Sequence, residues 1–261
     1  MPRFAANLTM MFTEWPFLDR FAAAAEAGFE AVEFLFPYEY APEEIAARLE
    51  RNGLVLVNFN MPPGDWASGE RGLAALPGRE AEFRRAVETA LSYGRVTGVP
   101  RIHAMAGLIP PGDPEAARTY ARNLRHAAGR LANAGIDLLI EPLNRRDMPG
   151  YFLDDFDRAA SIIEELNLPN VKLQFDIYHR QILHGDVVTG LRRLMPVIGH
   201  VQVASVPSRH EPDAEELNFA FVCEELDRLG FPGHIGCEYR PRADTVAGLS
   251  WFVPYARAGA S

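Results

Sequence analysis

The sequence predicts a closed (β/α)8 barrel, one domain spanning residues 1–261. Three observations point there. Short apolar runs rich in β-type residues alternate eight times with longer segments whose apolar residues recur at three- and four-residue spacing. Eight buried strands joined by helices make a parallel sheet, and in a chain of this length that sheet closes on itself. Several helical segments end in Gly just before the next strand, as at Gly28, Gly53, Gly98 and Gly135. Gly takes the left-handed conformation that ends a helix at little cost. A doubly wound open sheet is the weaker alternative, since no Gly-x-Gly-x-x-Gly follows the first strand.

In chain order, the strands are expected to start near Phe4, Ala31, Leu54, Val99, Ile136, Val171, His200 and His234. Helical periodicity fills "WPFLDRFAAAAEAG", "APEEIAARLERNG", "REAEFRRAVETALSYGRVTG" and "PEAARTYARNLRHAAGRLANAG" between the early strands. The segment Asn58 to Arg79, "NFNMPPGDWASGERGLAALPGR", breaks the rhythm. It is too long for an ordinary connection, and connections of this length are usually functional or disordered. Trp66, Leu73 and Leu76 argue for order. The segment follows the third strand, so it is expected to cover the barrel's C-terminal face.

Composition excludes several classes. The formal net charge is -9 and Lys and Arg form no block, which argues against a nucleic-acid partner. No apolar run approaches the length of a membrane span, and the N-terminus lacks a signal-peptide core. Cys223 and Cys237 fit a reducing compartment, so a cytoplasmic protein is expected. A homodimer is the base-rate expectation.

Barrel strand ends are where polar residues read as catalytic. The fifth strand ends in Glu141, the sixth in Asp176, the seventh in Gln202 and the eighth in Glu238. They are one strand-helix unit apart, so a barrel brings them together. Alone, each reads as a cap or a solvated loop residue. Together, three carboxylates and one amide would repel one another without a cation. All are oxygen donors and suit a hard divalent ion such as Mg2+ or Mn2+.

These residues carry a resemblance. The motifs "NLTMMFTEWPF", "FNMPPGDWASGERG", "EPLNRRDMPGYFL", "FDIYHRQI", "HVQVASVPSRHEP" and "GCEYRP" resemble the hydroxypyruvate isomerase family, within the xylose isomerase-like TIM barrel superfamily, nearly end to end. The resemblance implies that Glu141, Asp176, Gln202 and Glu238 bind a divalent metal. It implies further that Glu141 and Glu238 donate and accept the proton that interconverts hydroxypyruvate and tartronate semialdehyde through an enediolate. The related sugar epimerases usually place His where Gln202 stands.

The substrate's own carboxylate needs local cations and donors. Arg145, Arg209 and His179 are candidates, His179 standing where the superfamily places a substrate-binding His. His103 and Asn7, at earlier strand ends, could also reach the pocket. The competing readings are a 2-oxo-tetronate isomerase with the same ligand set, a sugar epimerase or dehydratase, and a nuclease acting at apurinic sites. The last would need a His-rich zinc cluster and a basic groove, against seven His and a net charge of -9.

Overall fold

The computed structural model describes residues 1–256. The expected span of 1–261 therefore ends with 257–261 outside the described residues. Eight strands, β1 (Arg3–Asn7), β2 (Ala31–Glu33), β3 (Val55–Asn60), β4 (Arg101–His103), β5 (Asp137–Ile140), β6 (Val171–Asp176), β7 (Ile198–Gln202) and β8 (His234–Cys237), pair in sequence order. The pairing is parallel throughout, and β8 closes on β1 with Phe4 opposite Ile235. Each strand is within three residues of the position expected for it. β3 runs on to Asn60, which pairs with His103 of β4, so the long connection starts three residues later than expected.

The outer layer holds α1 (Arg20–Glu26), α2 (Pro42–Asn52), α3 (Glu80–Thr97), α4 (Pro114–Ala132), α5 (Phe156–Leu166), α6 (Ile177–His184), α7 (Val187–Leu194) and α8 (Phe219–Arg228). Local chemistry sets their ends. Pro42 and Pro114 open α2 and α4, where a missing N–H costs nothing. Asp113 accepts from the Glu115 and Ala116 amides, and Asp155 from Arg158, at the N-termini of α4 and α5. Gly53 and Gly98 end α2 and α3 with φ of 62° and 69°. The apolar stripe of each helix faces the strands. On α4 it is Ala116, Tyr120, Leu124, Ala127 and Leu131, all buried. No helix among the described residues is long and apolar enough to cross a membrane.

The connection 61–79 is held by packing and backbone pairing. Gly72 bridges Ala106, and Leu73, Ala74 and Ala75 are buried. Only Gly fits at 72, since φ is 115° and a Cβ would fall 2.3 Å from the Met105 carbonyl oxygen.

Candidate active site

Consecutive strand ends bring the expected residues to one place. Glu141 follows the last residue of β5, Asp176 and Gln202 end β6 and β7 opposite each other, and Glu238 follows β8. All four are buried. One ligand atom from each of Glu141, Asp176, His179 and Glu238 lies within 4.8 Å of the others. That spacing suits oxygens placed 2.0–2.6 Å from a common ion. Asp176 uses Oδ1 to accept from the Tyr178 amide at 2.7 Å, as the N-cap of α6. Its Oδ2 and the Glu141 Oε1 are buried without a hydrogen bond. Buried carboxylate oxygens without partners are costly, and a cation would satisfy them.

The electrostatics agree. Burial raises the Glu238 carboxyl to about 8; Asp176 pushes the same way, and Arg209 opposes. Glu141 is raised well above its usual range by burial and by the charges of Glu238 and Asp176. Asp176 is raised by burial, against the pull of Arg209 and two backbone N–H groups. Burial works against the charge of Arg209, and Glu238, Asp176 and Glu141 more than offset it. Its guanidinium donates to Glu238 at 2.7 Å, lies 3.7 Å from Asp176, and sits over the Tyr178 ring. Arg209 is held there at a left-handed φ of 60°, uncommon outside Gly and frequent where a site imposes strain.

His179 belongs to this group as a donor. Its Nδ1 accepts from the Asn144 backbone N–H at 3.0 Å, so the hydrogen is on Nε2, which faces Asp176 Oδ2 at 3.6 Å. Burial, then Arg209 and His103, keep the ring neutral. A nitrogen that carries hydrogen has no lone pair for a metal, so the carboxylates are the better ligands. His103 lies 3.7 Å from Glu141, with its Nε2 buried and unpartnered. Burial, then His200, lowers its pKa to about 3.

Two expected site residues are elsewhere. Arg145 is not at the carboxylate cluster; its side chain is 71% exposed and ion-paired with Asp154 at 2.6 Å. It follows the strand by five residues, far enough for the chain to turn outward and find a nearer carboxylate. Asn7 is committed at both ends of its amide, donating to Glu33 and accepting from the Thr9 and Met10 amides. It fixes the exit of β1. Three residues went unrecognised in the sequence: Glu33, Gln174 and His200, all buried inside the barrel. Gln174 and His200 stand two residues before Asp176 and Gln202. Their strand alternation puts them on the same inner side, one pleat deeper.

At the barrel mouth, Thr9, Met10, Leu35, Trp66 and Arg240 line a cleft of about 430 Å³. Trp66 is stacked by the Arg71 guanidinium at 3.9 Å and packs on Phe36. The long connection thus forms part of the wall over the C-terminal face.

A parallel barrel with a neutral imidazole and an arginine set around buried strand-end carboxylates is an enzyme of the metal-capable, proton-moving class. Residues 21–255 match the family model described as xylose isomerase-like TIM barrel, and the chain belongs to that family. It is 59% identical over 258 residues to the 2-oxo-tetronate isomerase of Cupriavidus necator, covering 98% of this chain and 99% of the relative. It is 42% identical over 257 residues to the hydroxypyruvate isomerase of Escherichia coli, covering 98% and 100%. A crystal structure from Brucella melitensis described as an AP endonuclease, family 2, is 50% identical, with a TM-score of 0.96 over 98% of this chain and 100% of that one. The expectation of an isomerase stands on the two named isomerases.

Proposed function

We propose that the chain is a divalent-cation-dependent isomerase of short 2-oxo acids, moving one proton between C2 and C3. The observation that carries the proposal is the set of buried carboxylates with orphaned oxygens, within 4.8 Å of one another, under Arg209. The identity of 59% to a 2-oxo-tetronate isomerase, against 42% to a hydroxypyruvate isomerase, favours the four-carbon acid over hydroxypyruvate.

The residues fit a hard cation such as Mg2+ or Mn2+: Glu141, Asp176 and Glu238 would hold it, with the Gln202 carbonyl oxygen as fourth donor. When bound, such an ion polarises the substrate carbonyl and offsets the charge that develops on its oxygen. Beside such an ion, Glu141 and Glu238 would ionise more readily and so be available as bases. One of Glu141 and Glu238 removes the C3 proton, leaving an enediolate. The other supplies a proton to C2. The hydroxyl hydrogen at C3 passes to the C2 oxygen, which leaves the carbonyl at C3. His179 Nε2–H donates to a substrate oxygen, and Arg209, whose Nε is unpartnered, offers donors for the acid group.

A nuclease reading draws on the description of the Brucella structure. The cluster here holds one His, and that His is a donor, whereas a nuclease of that type needs several His on zinc. The test is product analysis. The chain with Mg2+ or Mn2+ is incubated with 2-oxo-tetronate or hydroxypyruvate and followed by proton NMR. Conversion to the 3-oxo acid or to tartronate semialdehyde is expected. Neither acid being converted would sink the proposal.

A further inference from the structure

Beside the carboxylates and one pleat below them, six inward side chains form a chain of hydrogen bonds that runs in one direction. Asn58 Nδ2 donates to Gln174 Oε1 at 3.0 Å, Gln174 Nε2 to Gln202 Oε1 at 2.6 Å, and Gln202 Nε2 to Glu33 Oε1 at 2.7 Å. Asn7 Nδ2 also donates to Glu33 Oε1, at 3.0 Å, and His200 Nε2 lies 2.6 Å from Glu33 Oε2. Both Glu33 oxygens are therefore taken by donors. At the far end, Asn58 Oδ1 is buried with no partner. Glu33 is 1% exposed, and it reaches across to β8, where a Cβ on Gly236 would lie 2.3 Å from its Oε2.

The direction has a cause. A carboxylate accepts and does not donate, whereas an amide has one end of each kind. Glu33 therefore pins the Gln202 NH2, and the Gln202 oxygen must face the other way. That oxygen takes one hydrogen bond from Gln174 and keeps its second lone pair. A carboxylate ligand has no such orientation problem, since its two oxygens are equivalent. A glutamine seat does: turned over, it presents hydrogens to the cation.

We propose that Glu33 is a positioning residue that sets the Gln202 amide with its oxygen toward the cation, and that this is what lets an amide serve as a ligand in this barrel. The proposal rests on the reading of Gln202 as a cation ligand. It does not require Glu33 to touch ion or substrate.

The test is a Mn2+ titration of the full, chelator-stripped chain, with free Mn2+ read by electron paramagnetic resonance. Four proteins are compared: the parent, Glu33→Gln, Gln202→Glu and the double variant. Thermal melts of the ion-free forms check folding. Glu33→Gln should weaken Mn2+ binding by about 10–100-fold, the usual effect of removing a group that orients a ligand. In the Gln202→Glu background, where both ligand ends are oxygen, the same change should cost less than about threefold, because no amide remains to misorient. Parent-like binding by Glu33→Gln overturns the inference. So does an equal loss in both backgrounds, which marks general damage. Glu33→Asp keeps an acceptor-only group and should bind Mn2+ within about tenfold of the parent; a larger loss in the folded variant also overturns it. If the parent binds no Mn2+, the cation reading fails, and this inference with it.

Discussion

Two polar clusters share the interior of this barrel, one pleat apart. The deeper one, around Glu33, is closed at its carboxylate: each Glu33 oxygen is met by a donor, and the amides hand hydrogen bonds along a line, while Asn58 Oδ1 and His200 Nδ1 at its edges have no partner. The shallower one, around Glu141, Asp176 and Glu238, is open: oxygens on Glu141 and Asp176 lack partners, and burial raises all three carboxyl pKa values. Both are buried, so burial alone does not mark a functional site. What separates them is whether the protein supplies donors to its buried carboxylate oxygens. The closed cluster behaves as part of the core. The open one is a seat that a bound ion could complete.

The largest effect that could break this contrast is catalytic. Glu238→Gln should lower kcat by about 10²–10⁴-fold, the usual worth of a positioned acid-base group, with an unchanged circular dichroism spectrum. Near-normal turnover would remove the two-glutamate mechanism. Next is stability in the closed cluster. His200→Ala strips buried Glu33 of a partner and should cost about 1–3 kcal/mol in urea unfolding, the range for leaving a buried polar group unsatisfied. A loss below about 1 kcal/mol would mean that the closed cluster is not closed.

The open cluster should respond to pH in a defined direction. Glu238 is raised from 4.5 to about 8, so in that window the folded, ion-free chain binds more protons than the unfolded one. Its stability must then fall as pH rises through the window, and a divalent cation should restore more at pH 8 than at pH 5. Thermal melts with and without Mg2+ would show this, and a flat or rising ion-free profile would contradict it. The smallest expected effect is at Arg145, whose ion pair is largely in solvent. Arg145→Ala should change stability by less than about 1 kcal/mol and leave kcat/KM within about twofold. A large fall in kcat/KM would return Arg145 to the site.

Much of this was legible before any coordinates. Hydrophobic alternation placed the strands, because parallel barrel strands are buried on both faces and read as apolar runs. Glu141, Asp176, Gln202 and Glu238 stood out because a charge or amide ending such a run asks for a partner. Glu33, Gln174 and His200 hid inside their runs, where a lone polar residue reads as solvent-facing. The two-residue spacing of Gln174 from Asp176, and of His200 from Gln202, was the available signal. Asn7 and Arg145 misled for a common reason. A strand end fixes where a backbone emerges, while the side chain goes to its nearest partner, Glu33 in one case and Asp154 in the other.

If one cation completes the open cluster, turnover should depend on it. The most direct measurement is the isomerisation rate of the metal-stripped chain with 2-oxo-tetronate as Mn2+ is added, alongside the amount of ion bound. No turnover is expected without the ion, with rate and binding rising together to saturation at one ion per chain. Full turnover in the stripped chain, or saturated binding without isomerisation of this acid or of hydroxypyruvate, would contradict it.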